Sequence, residues 1–175
     1  MLAVLRRAAC HRRRDGRRRG LRFRLGDAGL RYSRAIIGLL ALGTASAALD
    51  DAVDYARNRS TFGAPISTRQ GVAFPLVEHL TYIAGARHLC YEALWRKDRG
   101  LEHTTVASMV KWWAPKAAVE AIHQALLTYG HAAWSAENPQ AQRMRDAMGF
   151  EIADGTAQIA KLVVARSIFG RQYAP

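Results

Sequence analysis

Cysteine is scarce in this sequence, since the 175 residues contain only Cys10 and Cys90. Two cysteines are too few for the disulfide framework of a small secreted domain, and they show no C-x-x-C spacing of a metal or redox motif. The histidines form no H-E-x-x-H motif of the metalloprotease kind. The sequence therefore predicts no metal site and a reducing, cytoplasmic location.

Long uninterrupted apolar runs are also missing. The apolar stretch Ala35–Leu49 is broken by Gly, Thr and Ser and stops at Asp50-Asp51, whereas a membrane-spanning helix needs about 20 apolar residues. Half of all residues are nevertheless hydrophobic, which suits a folded globular chain rather than a disordered one. The sequence predicts a helix buried inside a bundle here, and no membrane span.

Acidic residues are few: 14 Asp and Glu stand against 26 Lys and Arg, which gives a net charge of +12. Most of the excess lies in residues 1–34, where twelve Arg face two Asp, while residues 35–175 are nearly neutral. This asymmetry predicts a boundary. Residues 1–30 are interpreted as a basic leader outside the fold, and residues 31–175 as the folded domain.

The basic end admits several interpretations. Its arginines suit binding to nucleic acid or an anionic membrane, and Arg-rich, acid-poor segments also serve as targeting leaders. A solvated tail, or residues that do not belong to the fold, is the alternative. No aromatic residue stands between the arginines of residues 11–20 to stack on bases, which favours this last interpretation and predicts no nucleic-acid partner.

From Arg34 onward the apolar pattern is helical, and no strand pattern is visible. Long helices with short connections predict an all-α fold, an antiparallel four-helix bundle whose core includes Trp112, Trp113 and Trp134. Glycines end two of the helices, and Ser67 or Thr68 is expected to cap the second. The predicted helices span about residues 32–57, from Ser67 or Thr68 to 100, 104–130, 140–148 (short) and 154–169.

Two motifs are more specific than this pattern. Residues 55–66 read YARNRSTFGAPI and are followed by Gln70; residues 145–147 read RDA, residues 154–159 read DGTAQI, and Ala165-Arg166 follows. In this order, joined by helices of these lengths, the motifs resemble the C-terminal helical domain of the acyl-CoA dehydrogenase family. The resemblance covers about Gly29 to Gly170.

The resemblance implies FAD-dependent α,β-dehydrogenation of an acyl-CoA thioester, with Asp154 as the base that removes the α-proton. It also implies a homo-oligomer, either a dimer or a dimer of dimers, and an acceptor like electron-transfer flavoprotein. Arg59 would bind the FAD pyrophosphate across a subunit boundary, Phe62 would pack on the adenine, and Gln70 would hydrogen-bond the cofactor. The implied cofactor-binding residues are Arg59, Thr61, Phe62, Gln70, Gly130, His131, Thr156 and Gln158.

Physical chemistry supports several of these roles. Arginine offers a fixed fork of donors for a pyrophosphate. Thr156 and Gln158 are expected at a helix N-terminus, where free N–H groups and the helix dipole favour an anionic or electron-rich ligand. Burial brings the basicity of a carboxylate toward that needed for proton abstraction. Asp154 also fits the N-cap position of the last helix, and the two roles are compatible.

The sequence departs from the family at the base itself. Most members carry Glu where this chain has Asp154, whose side chain reaches about 1.5 Å less, and a misplacement of about 1 Å can cost roughly 100-fold in rate. Some relatives that oxidise cyclic acyl-CoA substrates also carry Asp, which makes an alicyclic acyl-CoA a candidate substrate. Ser33 stands where other members place a second kind of base, and a hydroxyl cannot replace that carboxylate.

Two further departures concern the glycine loop and the length of the chain. Members usually carry Gln and then Gly-Gly-x-Gly after the third helix; here Leu127 replaces the Gln, and of the glycines only Gly130 remains, with His131 and Ala133 in place of others. Family enzymes also place a helical domain and a β-barrel before this bundle, and residues 1–34 cannot replace them. The isolated chain is therefore expected to be incomplete and inactive. The alternative is a non-catalytic helical oligomerisation module that binds a full-length relative.

Overall fold

A computed structural model describes the backbone of residues 16–172 and the side chains of residues 32–172. The chain divides into two compact units, Met1–Leu30 and Arg31–Pro175. The elements and sites described below from Tyr32 onward belong to the second unit. The whole basic leader predicted at residues 1–30, including Cys10, lies outside the residues whose side chains are described, so its separation from the fold stays a prediction.

Five α-helices account for most of the described residues, and they confirm the all-α prediction. The first helix begins at Gly16 rather than near Tyr32, while the later boundaries fall close to those expected. Gly100, Gly130 and Gly170 follow α2, α3 and α5 with φ of +68°, +63° and +87°, which glycine adopts without steric cost. The helices are α1 (Gly16–Asn58), α2 (Gln70–Asp98), α3 (Thr104–Tyr129), α4 (Gln140–Ile152) and α5 (Ala157–Phe169).

A small antiparallel hairpin joins α1 to α2, so the expectation of no strand was wrong at this one place. Strands β1 (Ser60–Thr61) and β2 (Ala64–Pro65) pair across a two-residue turn. Both turn residues have positive φ, +53° at Phe62 and +81° at Gly63, as in the primed turns that suit tight hairpins. Two-residue strands are too short to show an alternating pattern in the sequence.

The predicted cap of the second helix was also wrong. Ser67 and Thr68 lie in a 3₁₀ turn, Ile66–Thr68, and α2 begins only at Gln70 after Arg69, which makes no side-chain capping bond. The Thr68 hydroxyl instead donates to the Pro65 carbonyl at 2.7 Å. A hydroxyl that bonds the preceding turn is not available to the first amides of the helix.

Alanine dominates the core, which lets the helices approach closely. Helix α3 packs against α2, α4 and α5, and α1 crosses α2 and α3 at Gly38. A Cβ added to Gly38 would lie 3.0 Å from the Cys90 Sγ and 3.3 Å from the Ala114 Cβ. Fully buried alanines and leucines continue this seam along α1: Ala41, Leu42, Ala45, Ala48, Leu49 and Ala52.

The segment Tyr32–Asn58 of α1 is long and apolar enough to cross a membrane by length and composition, with a mean hydropathy of 1.6. The core helix of a helical bundle passes the same test, because the face that the other helices cover is apolar. Leu42 and Leu49 are fully buried on that face. The absence of a membrane span therefore stays a prediction.

Candidate functional site

Asp154 lies in a tight turn between α4 and α5. Its φ is +57° and that of Gly155 is +102°, a left-handed conformation that is uncommon for a residue with a side chain. The Ser33 hydroxyl of α1 donates a hydrogen bond to the Asp154 Oδ2. The turn therefore directs this carboxylate toward α1, and it brings together the two positions at which the family resemblance places a base.

The alternative role of Asp154 as the N-cap of the last helix is wrong. Helix α5 begins at Ala157, and Thr156 is the residue that precedes it, with φ −71° and ψ 164°. Thr156 makes no side-chain capping bond, and its exposed hydroxyl and the exposed Gln158 stand at the first turn of α5. The structure thus places Thr156 and Gln158 beside Asp154, at a helix N-terminus as predicted.

Next to Ser33, buried polar groups link α1 to α3. Arg34 is 6% exposed, and its Nη1 donates to the Ser108 Oγ at 3.0 Å. The Ser108 hydroxyl donates in turn to the Thr104 carbonyl at 2.7 Å. Arg34 and Ser108 therefore each have a hydrogen-bond partner, which buried polar groups require.

Lys111 of α3 is the second buried cation, and its side chain is only 1% exposed. Its Nζ donates to the carbonyl oxygens of Phe150 at 3.1 Å and Glu151 at 3.4 Å, near the end of α4. Burial lowers the pKa of Lys111, and the nearby carboxylates of Asp154 and Glu151 oppose this effect. We define the Asp154 site as Ser33, Arg34, Lys111, Asp154, Thr156 and Gln158.

The sequence motifs did not identify Lys111 as a site residue, although a signal was present. Ala107, Lys111, Ala114 and Ala118 follow one another at the i, i+4, i+7, i+11 spacing of a single helix face, and the alanines are buried. A lysine on such a face is either paired or bonded, because an unpaired buried charge is costly. Helical periodicity thus marks Lys111 as unusual.

A second cluster lies at the C-terminal end of α1, around the hairpin. The Arg59 carbonyl accepts from the Ile66 amide at 2.8 Å, and this bond closes the hairpin. The Arg69 Nη2 donates to the Thr61 carbonyl at 2.8 Å, and its guanidinium lies 5.1 Å from the centre of the Phe62 ring. Phe62 itself is 95% exposed. Arg59 and Gln70 are exposed beside it.

The end of α3 lies near this cluster. Tyr129 stacks on Tyr55 with ring centres 4.2 Å apart, and its hydroxyl donates to the Asp51 carbonyl at 3.1 Å. The exposed Gly130 and His131 follow directly, in the 3₁₀ turn Gly130–Trp134. We define the hairpin site as Arg59, Thr61, Phe62, Gln70, Gly130 and His131.

Trp134 lies beyond this site and is 75% exposed, so its predicted place in the core was wrong. Trp113 does pack against the core. Trp112 is half-buried, with the Lys161 Nζ 4.7 Å from its ring centre. Trp112, Trp113 and Trp134 therefore have different environments, and nothing in the residue types alone separates them.

The two sites are far apart in one chain. Ser33 and Asn58 lie on the same continuous helix, whose rise of 1.5 Å per residue separates them by about 37 Å. The structure therefore brings the predicted residues together in two groups rather than one. Among the residues that the structure describes, no group of three His, Cys, Asp or Glu side chains is placed to hold a metal ion.

Comparison with known proteins establishes the family. Residues 19–169 match the acyl-CoA dehydrogenase, C-terminal domain, family, and the chain therefore belongs to it. This confirms the resemblance noted in the motifs. The match begins inside the segment assigned to the basic leader, and the boundary at residue 31 stays a prediction.

Individual relatives agree with this assignment. An acyl-CoA dehydrogenase of Bacillus subtilis is 39% identical over 85% of this chain and 39% of its own length. Cyclohexane-1-carbonyl-CoA dehydrogenase of Geobacter metallireducens is 36% identical over 78% of this chain and 36% of its own length. The solved structure of butyryl-CoA dehydrogenase from Megasphaera elsdenii superposes with a TM-score of 0.78 at 34% identity, covering 79% of this chain and 36% of that one. The chain spans about two-fifths of the length of these relatives.

Proposed function

We propose that the chain supplies the C-terminal helical domain of an FAD-dependent acyl-CoA dehydrogenase, which removes hydrogens from the α and β carbons of an acyl-CoA thioester. One observation carries the proposal: the Asp154 carboxylate is held by Ser33 at the end of a left-handed turn. Such a conformation costs roughly 1–3 kcal/mol and tends to occur at functional sites. The base is thereby fixed relative to α1 before substrate arrives.

The hydrogen bond from Ser33 gives the two oxygens of Asp154 different tasks. Oδ2 accepts the Ser33 hydroxyl, and Oδ1 takes the α-proton of the thioester. A base held in one orientation loses little entropy when it reacts, and general-base catalysis typically contributes roughly 100- to 10,000-fold. Thr156 and Gln158 stand at the start of α5, where the backbone amides of a helix N-terminus favour an electron-rich group.

The hairpin site has the chemistry that FAD requires. The exposed Arg59 guanidinium suits a pyrophosphate, and the Phe62 ring, which is 95% exposed, offers an apolar face for an adenine. Thr61 and Gln70 flank the ring, and Gly130 leaves open space beside its Cα. When bound, FAD accepts the hydride that leaves the β carbon. His131 stands where members usually carry glycine, and its side chain leaves less room for the backbone to approach the cofactor.

Because about 37 Å separates the two sites along α1, the hairpin of one chain does not act on the substrate held by Asp154 of the same chain. The hairpin site instead completes the active site of a second copy. We therefore propose a homo-oligomer, either a dimer or a dimer of dimers. An acceptor like electron-transfer flavoprotein and a cytoplasmic location complete the proposal.

The substrate class depends on the shorter arm of Asp154. A carboxylate that reaches about 1.5 Å less must be approached more closely by the α carbon. One relative is named for cyclohexane-1-carbonyl-CoA and another for butyryl-CoA, so both ring-bearing and straight-chain acyl groups are represented among similar proteins. We propose an alicyclic acyl-CoA as the first substrate to test and a short straight-chain acyl-CoA as the comparison.

A non-catalytic role is the second candidate. Helix α2 exposes several large apolar side chains, and exposed apolar surface is typical of a region that packs against another protein. In that case the chain is a helical oligomerisation module that binds a full-length relative, and Asp154 has no catalytic task. The exposed side chains are Phe74, Val77, Leu80, Tyr82, Tyr91 and Trp95.

One experiment separates these functions. The chain is grafted in place of the matching part of the Bacillus subtilis acyl-CoA dehydrogenase, giving the grafted enzyme, and flavin absorbance is followed by stopped flow after adding each acyl-CoA. We expect FAD to bind and to bleach with at least one substrate class. A grafted enzyme that holds FAD but is reduced by neither class contradicts the catalytic proposal. The 175 residues alone, which span 39% of that relative, are expected to bind FAD weakly and to show no reduction.

A further inference from the structure

Lys111 caps the end of α4 from a neighbouring helix. The last carbonyls of an α-helix have no intrahelical donor, and a cation there also complements the helix dipole. The Lys111 Nζ reaches the carbonyl oxygens of Phe150 and Glu151 at 3.1 and 3.4 Å. Both residues lie in the final turn of α4, which ends at Ile152. An ammonium with three donors and no acceptor is suited to bind several carbonyls at once.

The Asp154 turn begins directly after this capped end. Ala153 still donates its amide to the Gly149 carbonyl at 3.0 Å, and the two left-handed residues, Asp154 and Gly155, follow. A strained turn persists only where its surroundings fix it. On the α1 side the Asp154 carboxylate is fixed by Ser33. On the α4 side, Lys111 adds a side-chain contact from another helix to the backbone just before the turn.

The charge of Lys111 is also placed where Asp154 experiences it. Lys111 is 1% exposed, so little solvent lies between its ammonium and the neighbouring carboxylates. Burial lowers the pKa of Lys111, and Asp154 is the carboxylate that most strongly opposes this effect. Arg34 is the other buried cation nearby, and its described bond goes to Ser108. The Lys111 ammonium and the Asp154 carboxylate thus interact through their charges, without a described hydrogen bond between them.

We propose that Lys111 is a positioning residue for the base: by holding the last carbonyls of α4, it fixes the turn that directs the Asp154 carboxylate to Ser33. This inference rests on the proposed function in one respect, the role of Asp154 as the catalytic base. The anchoring of the turn is a property of the chain itself, and it is measurable without cofactor or substrate.

The first arm of the test uses the 175-residue chain. Lys111→Met removes every donor while keeping an unbranched apolar stem, and Lys111→Gln keeps an amide donor without the charge. Lys116→Met is the matched control, because Lys116 lies on the same helix and forms an exposed ion pair with Glu120. Amide hydrogen exchange of residues 149–157 is followed by mass spectrometry. We expect faster exchange in Lys111→Met, an intermediate rate in Lys111→Gln and the wild-type rate in Lys116→Met.

The second arm uses the grafted enzyme and separates kcat from KM. We expect Lys111→Met to lower the rate of flavin reduction by roughly 10- to 100-fold, as for a misplaced base, with FAD content and KM near the wild-type values. Lys111→Gln should recover part of the rate, and Lys116→Met should match wild type. If Lys111 were merely structural, its loss would lower FAD content and raise KM as well as lowering the rate, or Lys111→Gln would recover none of the rate.

The outcomes distinguish the two proposals. If wild-type grafted enzyme is not reduced by any acyl-CoA, the proposed function fails, while the exchange arm still tests the anchoring of the turn. If wild type is reduced and Lys111→Met retains both the wild-type exchange at residues 149–157 and the wild-type reduction rate, the positioning role is overturned. Should Lys111→Met not fold, Lys111→Gln with wild-type exchange and rate leads to the same rejection.

Discussion

Asp154 shows how one residue combines a backbone and a side-chain requirement. Aspartate and asparagine adopt left-handed φ more readily than longer side chains, because their short polar groups bond locally. With φ of +57°, the Asp154 position therefore favours a short side chain, whereas the proposed chemistry favours a carboxylate. A glutamate here would gain reach but would meet a larger backbone cost. The choice of Asp thus has a structural reason besides any reason in the substrate.

Asp154→Asn in the grafted enzyme is expected to lower the rate of flavin reduction by roughly 100- to 10,000-fold, which corresponds to about 3–5 kcal/mol of barrier. Asparagine accepts the left-handed backbone, and its carbonyl oxygen still accepts the Ser33 hydroxyl, so FAD content should not change. Stopped-flow absorbance measures the rate, and Asp146→Asn, an exposed carboxylate bonded to Gln142, is the control. Wild-type reduction in Asp154→Asn would show that another group is the base.

Asp154→Glu tests which acyl group the site fits. If the substrate is a straight-chain acyl-CoA held at the usual distance, the longer arm should raise the reduction rate. If the site is shaped for a ring-bearing group, the added methylene should crowd the ring and lower the rate, since overpacking is destabilising. The rates with both substrate classes are compared in one variant. Equal changes with both classes would mean that only the backbone cost was measured.

Cys90 gives the chain a pH dependence with a definite sign. Cys90 is a fully buried free cysteine, and burial raises the pKa of its thiol from 9.0 to about 12. Above pH 9 the unfolded chain loses this proton while the folded chain keeps it, so stability is full below pH 9 and falls as pH rises toward 12. The loss at pH 10 is about 1.4 kcal/mol.

Urea denaturation at pH 8 and pH 10 measures this loss. Cys90→Ser is the matched variant, because its hydroxyl does not titrate in this range, and the difference between the two pH values should shrink by about 1.4 kcal/mol relative to wild type. Lys111 contributes with the opposite sign: its lowered pKa means that the folded chain releases its proton first and gains stability as pH rises. An unchanged pH dependence in Cys90→Ser would show that the thiol titrates normally.

At the scale of elements, α1 is held by close contact rather than by large side chains. Gly38 permits the contact with Cys90 and Ala114, whereas a Cβ at Gly43 on the same helix would meet nothing within 4 Å. Gly43→Ala should therefore stabilise the fold by about 1 kcal/mol through helix propensity alone. Gly38→Ala should lose that gain to overpacking of about 1–3 kcal/mol. Urea midpoints of the two variants measure the difference, and equal midpoints would mean that α1 does not pack tightly at Gly38.

The helices were predictable because apolar periodicity and glycine or proline breakers are local signals. Gly100 and Gly130 indicated where α2 and α3 end, and positive φ at both confirms the reason. The Asp154-Gly155-Thr156 segment misled the prediction of a cap, because an Asp before an apolar helix is a common N-cap signal. Two successive left-handed residues delay the start of α5 to Ala157. Backbone dihedral angles of this kind are not visible in the residue types alone.

The candidate site was predictable only in part, for a related reason. Asp154 was found through its motif, but its partner Ser33 is 121 positions away in the sequence. Lys111 contacts carbonyls 39 and 40 positions later, and backbone carbonyls carry no sequence signal. The exposure of Trp134 likewise depends on which helices cover the Gly130 turn. Pairings over such distances are set by how the helices pack, and one sequence does not contain them.

At the scale of the whole molecule, the position of the two sites constrains the assembly. The Asp154 site and the hairpin site lie at opposite ends of the α1 segment from Ser33 to Asn58, about 37 Å apart. Phe62, at the tip of the hairpin, is exposed in the single chain. In a symmetric dimer each chain contacts the other through the same pair of surfaces. In the dimer proposed above, the hairpin of each chain would complete the Asp154 site of its partner, giving two composite sites for each dimer.

Complementation between two inactive variants tests this arrangement directly. In the grafted enzyme, Asp154→Asn removes the base and Arg59→Ala removes the pyrophosphate ligand, while the hairpin backbone bonds of Arg59 to Tyr55 and Ile66 are kept. A mixed dimer contains one composite site that has both an intact Asp154 and an intact Arg59. Random mixing makes half of the dimers mixed, so unfolding and refolding the two variants together should restore about a quarter of the wild-type rate. Arg57→Ala is the control for Arg59→Ala, because Arg57 forms only an exposed ion pair with Asp54 among its described contacts. The Arg57→Ala enzyme should be active by itself, without mixing. Light scattering checks that the refolded mixture contains dimers. If those dimers remain as inactive as the separate variants, each chain builds its site alone, and the cross-chain role of the hairpin is wrong.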